Sequence, residues 1–201
     1  QAPQPRQRRR RSRPPAARPA PSSHSALVAA ADAGKNIVVM IDDAYFGLVY
    51  EDGVYTESMF SLLADAHPGI LAVKVDGATK EDYAWGLRVG FLTYGFKGAE
   101  PAAFKALEDK SAGAVRGNIS NASHLSQSLL LATYEAEEFK AWKKEKYATM
   151  ATRYREVKAQ FESHPEYAEV FEALPFNSGY FMCVLCLPEY SRQRSRNNCW
   201  F

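Results

Sequence analysis

Residues 70–80 read Ile-Leu-Ala-Val-Lys-Val-Asp-Gly-Ala-Thr-Lys: a short, mostly apolar run that ends in an acid, a glycine, a hydroxyl and a lysine. Such a run suits a strand buried on both faces of a parallel sheet, because a strand with one wet face would alternate with polar residues. Residues 36–41, Asn-Ile-Val-Val-Met-Ile, repeat the pattern and are followed at once by Asp42 and Asp43. Between the two runs, residues 58–66 suit a helix with Met59, Phe60, Leu62 and Leu63 apolar. Upstream, residues 26–33 read as the last turns of a helix closed by Gly34. Residues 91–94 form a third short apolar run. Helix, strand, helix and strand in succession predict an α/β fold with a mainly parallel sheet and flanking helices.

Past Pro101 the pattern turns helical. Residues 101–110 read as a short helix, 123–134 as a second, and 137–161 as a long amphipathic one. The last carries Phe139, Trp142, Tyr147, Met150, Tyr154, Val157 and Phe161 at helical spacing. An aromatic stripe at that spacing is expected to be a packing face, not a ligand groove. Residues 176–184, Phe-Asn-Ser-Gly-Tyr-Phe-Met-Cys-Val, read as a turn entering a strand. This switch predicts a second, α+β unit over 123–187, after a first over 25–122, with an irregular tail at 188–201.

Composition separates the ends from the body. Residues 1–24 hold seven arginines, six prolines and no acid, and none of the large apolar residue types. They can bury nothing and read as a disordered leader, with a composition that GC-rich DNA read out of frame also produces. The remainder has 18 basic against 23 acidic residues, so Arg8–Arg11 find no basic surface to continue them and no nucleic-acid partner is expected. No apolar run is long enough to span a membrane. Cys183, Cys186 and Cys199 are odd in number and crowded at one end, which predicts a cytoplasmic protein without a disulfide framework. In a strand, Cys183 and Cys186 fall on opposite faces, so no metal is expected.

In open α/β sheets, ligands bind beyond the carboxyl ends of the strands. Two strands here end in Asp42-Asp43-Ala44-Tyr45 and Asp76-Gly77-Ala78-Thr79-Lys80, and Arg88 follows Lys80 by eight residues in Trp85-Gly86-Leu87-Arg88-Val89-Gly90. Carboxylate, phenol, ammonium and guanidinium at neighbouring strand ends would make a pocket with charges of both signs. Singly, each is more often a turn or surface residue. As an ordered set, Asp42-x-x-Tyr45, Lys80 and Gly86-x-Arg88-x-Gly90 resemble the pyridoxal-phosphate (PLP) aminotransferases of fold type I, in the class I/II group that includes aspartate aminotransferase. The resemblance runs from about residue 26 to 184. The stretch Val115-Arg116-Gly117-Asn118-Ile119-Ser120-Asn121 is similar to that family's passage toward its small domain.

The resemblance implies part of the PLP-binding large domain, then a long helix and the start of a small domain. It implies amino-group transfer between an amino acid and a 2-oxo acid in a homodimer. Lys80 would be the Schiff-base lysine and the base that moves the substrate proton. Asp42 would keep the pyridine nitrogen protonated, with Asp43 as its competitor, as Lys74 is for Lys80. Tyr45 would donate to the ring's phenolic oxygen, Arg88 and Thr79 would hold the phosphate, and Arg116 would reach a substrate carboxylate in the neighbouring subunit. Gly77 stands where many members have a serine or threonine. The family's upstream half and final stretch have no counterpart, so the chain reads as a truncated fragment. The alternatives are an inactive fragment, or a lyase or decarboxylase reaction on the same fold.

Overall fold

The computed structural model describes residues 21–186. Residues 1–20, with Arg8–Arg11, and the tail from 187 onward, with Cys199, lie outside them. Helix α1 (Pro21–Asp32) begins inside the stretch whose composition marks it as leader. It closes with the Gly34 N–H on the Ala31 carbonyl at 2.8 Å and the Lys35 N–H on Ala30 at 3.2 Å, a reversal that places Gly34 at φ +84°. Left-handed backbone of this kind is why a glycine ends the helix.

Strands β1 (Ile37–Asp42) and β2 (Ile70–Gly77) pair in parallel, with Ile37 opposite Ile70 and Asp42 opposite Val75. Between them, helix α2 (Met59–Leu63) starts at Ser58, whose hydroxyl accepts the Phe60 N–H at 3.0 Å. Leu63, Ile70, Ala72 and Ala31 form a closed core under α1 and α2, flanked by Val28, Val39 and Phe60. Strand β3 (Gly90–Gly95) completes the order β1-β2-β3 but runs antiparallel to β2, so one of the two pairings departs from the expected parallel arrangement. The connection explains it. Residues 78–89 hold only α3 (Ala78–Glu81), a single turn too short to cross the sheet and return to its starting end, so the chain doubles back.

Helix α4 (Pro101–Ile119) covers the opposite face, through a Tyr94–Ser111 hydroxyl contact of 2.6 Å and the Phe96–Phe104 ring pair. It extends well beyond the 101–110 predicted. Gly113 and Gly117 cost helix stability without breaking it, and each faces open space. The cover is partial. A gap of about 440 Å³ lies between Val38, Leu71 and α4, and Val38 and Met40 stay 65% and 71% exposed. β1 is therefore buried on one face only, against the two-faced burial that its apolar run predicts.

Helix α5 (His124–Glu135) is capped by the Ser123 hydroxyl, and α6 (Phe139–Ser163) follows. The α6 stripe packs: Tyr50 sits between Tyr147 and Tyr154, at 5.6 and 5.3 Å between ring centroids, and Phe176 lies edge-on to Tyr154 and Phe161. Only its margin is wet, at Trp142 and Val157. Two short antiparallel strands, β4 (Phe171–Ala173) and β5 (Val184–Cys186), follow. Cys183 and Cys186 are exposed free thiols, and no group of metal ligands occurs among the described residues. No helix among them is long and apolar enough to cross a membrane.

Leu63 has no solvent exposure, whereas its neighbour Leu62 is 41% exposed. Leu63→Ala should lower the unfolding free energy by about 2–5 kcal/mol and Leu62→Ala by under ~1 kcal/mol, both read from urea denaturation.

Candidate functional site

A cavity of about 350 Å³ opens beyond the carboxyl ends of β1 and β2, and Asp42, Thr79, Lys80 and Arg88 all line it. Three of the four come from the loop that joins β2 to β3. Asp42 comes from the last position of β1.

Strand alternation separates the two acids. Asp43 is turned toward α2, where its carboxylate accepts the hydroxyl of the buried Ser58, and its N–H donates to the Val75 carbonyl at 2.8 Å. Asp42 is turned into the cavity, with one oxygen accepting the Ala44 N–H at 3.1 Å. The two lysines are separated likewise. Lys74 is ion-paired with Asp76 on its own strand and lies over the Phe46 ring at 4.6 Å. Lys80 sits in α3, its ammonium 4.1 Å from the centroid of Tyr45. A cation over an aromatic face is attracted by the ring quadrupole, so Tyr45 holds the lysine head at a defined place.

Gly77 faces Gly90 where β2 meets β3. A Cβ at Gly77 would lie 2.6 Å from the Val89 carbonyl oxygen, inside van der Waals contact. The position thus has no room for the serine or threonine that its place before the lysine would suggest. Arg88, just before this contact, adopts φ +56°, a left-handed conformation that costs a non-glycine residue about 1–3 kcal/mol. Arg116 is elsewhere, exposed in the last turn of α4 and donating to the Ser120 hydroxyl at 2.8 Å; it does not line the cavity.

The sequence gives little sign of what holds α3 in place. Lys143 of α6 reaches Asp82 at 2.7 Å and Glu81 at 3.1 Å, and the Tyr134 hydroxyl of α5 donates to Asp82 at 2.7 Å. Burial pulls the Lys143 pKa down, but these two carboxylates outweigh it and the net shift is upward. From the C-terminal side, the Tyr180 hydroxyl donates to the Lys80 carbonyl at 2.7 Å. Burial, then the neighbouring Tyr83 and Tyr45 phenols, push the Tyr180 pKa from its ordinary 10.0 to about 12. Tyr50 and Tyr83 are raised too, burial first, and their hydroxyls are buried without a hydrogen-bond partner. Gly179, at φ +72° before two aromatics, is the one trace of this clamp in the sequence.

The fold and the site together define an α/β protein with a cavity at its strand ends, lined by the carboxylates Asp42 and Asp76, the Lys80 ammonium and the Arg88 guanidinium. Residues 19–198 match the family described as aminotransferase class I and II, and the chain belongs to that family. Among solved structures it is similar to an aminotransferase from Anaerococcus prevotii DSM 20548, with a TM-score of 0.64 and 21% identity, over 80% of this chain and 38% of that one. That likeness is one of fold, and the chain spans well under half the length of the structure it matches. Comparison with curated proteins finds no match.

Gly77→Ser should force β2 and β3 apart at their junction and lower stability by about 1–3 kcal/mol, measured by urea denaturation. A second expectation concerns alkaline pH. Because the folded pKa of Tyr180 lies above the unfolded one, its contribution to stability is complete below pH 10.0 and is lost as the pH rises through about 12. Tyrosinate absorbance and circular dichroism should therefore change together in that window; full ionisation of the tyrosines with the fold intact would contradict the shifts.

Proposed function

We propose that this chain carries the cofactor-binding lysine site of a PLP-dependent aminotransferase, which exchanges an amino group between an amino acid and a 2-oxo acid. The observation that carries the reading is the convergence of Asp42, Thr79, Lys80 and Arg88 on one cavity at the strand ends. Family membership supports the same reaction class.

The donor set fits the cofactor. Lys80 offers a primary amine where an aldehyde is to be held, and once released it can take a proton from a substrate α-carbon and return it nearby. Bound PLP supplies the aldehyde and an electron-withdrawing ring. Asp42 is a carboxylate suited to hold a proton on a ring nitrogen, and Asp43, committed to Ser58, is not available for that task. Arg88 brings planar guanidinium donors for a phosphate dianion, with the Thr79 hydroxyl beside it in the cavity lining. Tyr45, under the lysine head, is the proposed donor to the ring's phenolic oxygen. Arg116 lies outside its own cavity, so its proposed contact with a substrate carboxylate belongs to a homodimer, across the subunit interface.

A second reading has its own observation. Val38 and Met40 remain exposed, so one face of β1 lacks cover, as in a domain that keeps the fold without the activity. One titration separates the two. PLP added to the full chain should raise a near-visible absorbance band, and borohydride should then fix the cofactor to the peptide containing Lys80. Lys80→Ala should abolish both signals. Arg88→Ala should weaken binding about ten- to a hundredfold, as expected for loss of a charge-assisted hydrogen bond worth about 1.5–3 kcal/mol. Absence of the band in the unaltered chain would favour the second reading.

A further inference from the structure

The lysine turn is held from the far end of the chain. Helix α3 is a single turn, and one turn does not sustain itself, because nucleation fixes several residues for very few hydrogen bonds. The Lys80 carbonyl lies at its open end, where carbonyls lack intrahelical partners. It takes the Tyr83 N–H at a long 3.3 Å and the Tyr180 hydroxyl at 2.7 Å.

Tyr180 is itself anchored. The segment 177–179 is bound to 48–50 by the Tyr50 N–H on the Asn177 carbonyl at 2.9 Å and the Gly179 N–H on Leu48 at 2.8 Å, with Val49 bridged to Ser178. Gly179 has φ +72°, and a Cβ there would lie 3.0 Å from the Tyr45 ring. Only a glycine lets that ring lie under the segment without strain. The Tyr180 and Phe181 rings then meet Tyr45 edge-on at 5.7 and 6.1 Å. Tyr45 is thereby held between this strap and the Lys80 ammonium, 4.1 Å from its centroid.

We propose that Tyr180 is a positioning residue for Lys80: its hydroxyl, tied to the Lys80 carbonyl, keeps the lysine turn in register with Tyr45, so that the ammonium stays over that ring. The proposal rests on the reading of Lys80 as the functional amine, but its geometry does not require the cofactor. Without the bond the turn is free to rotate, and the ammonium leaves the ring face that stabilises its charge.

The test uses the full chain without cofactor. Lysines are trace-labelled with acetic anhydride across the pH range in which they deprotonate, and the labelling of Lys80 is read by peptide mass spectrometry against the exposed Lys97. Tyr180→Phe keeps the ring and removes the hydroxyl. It should speed Lys80 labelling about three- to tenfold, the range set by loss of one hydrogen bond, with Lys97 unchanged. Tyr154→Phe is the control for general loosening, because it removes another buried hydroxyl, bonded to Glu51 and to the Phe176 carbonyl. It should leave Lys80 unaltered. Equal Lys80 labelling in Tyr180→Phe and the unaltered chain overturns the proposal, and so does an equal rise in Tyr154→Phe. The PLP titration reports separately. If the unaltered chain takes up cofactor while Tyr180→Phe leaves Lys80 labelling unchanged, positioning fails and the functional reading stands. If labelling responds but no cofactor binds, the functional reading fails and the positioning holds.

Discussion

Glycine against glycine, at positions 77 and 90, brings the ends of β2 and β3 closer than any side chain at position 77 would permit. The rest of the site follows from that approach. It closes residues 78–89 into a loop whose two ends are hydrogen-bonded strands, and Thr79 and Lys80 leave one end while Arg88 enters the other. Residues eight apart in the chain therefore line the same cavity. A bulkier junction would splay the loop and separate the amine from the guanidinium. The left-handed backbone at Arg88 belongs to the same closure, since the chain must reverse within two residues of the Gly77 contact.

Identical residue types in this region are sorted by geometry. Asp42 and Asp43 are adjacent carboxylates, and a pleated strand sends them to opposite faces. One meets the Ser58 hydroxyl at the start of α2, and the other meets the cavity. Lys74 and Lys80 differ in the same way: the first is neutralised by Asp76 within its own strand, whereas the second leaves the strand and rests on Tyr45. In each pair, the residue with a strong local partner is structural. The residue without one faces the space where a ligand can bind.

A one-turn helix is a weak support for a lysine at the edge of a cavity, and the protein compensates from three directions. Lys143 and Tyr134 grip the acids that follow Lys80, and Tyr180 grips its carbonyl. These partners come from α5, α6 and the strap before β5, more than fifty residues downstream in every case. Tyr134 and Tyr180 are protonated at neutral pH like any phenol, and burial raises their pKa values further, so they act there as hydrogen-bond donors well into the alkaline range.

The amino-acid sequence by itself determined the local elements and the ordered set of chemical groups. Apolar runs located β1 and β2, Gly34 marked a helix end, and Asp42, Tyr45, Lys80 and Arg88 stood in order at or just after the strand ends, because those signals are carried by neighbours along the chain. The direction of β3, the length of α4, the wet outer face of β1 and the hold of Tyr180 on Lys80 were decided only in the tertiary structure. Each depends on what lies across space from a residue: how far a connecting loop can reach, how completely a helix covers a sheet, or which hydroxyl meets a carbonyl a hundred residues away. Periodicity carries no record of such distances, and a tyrosine in a turn looks the same in sequence whether it packs idly or steadies a lysine.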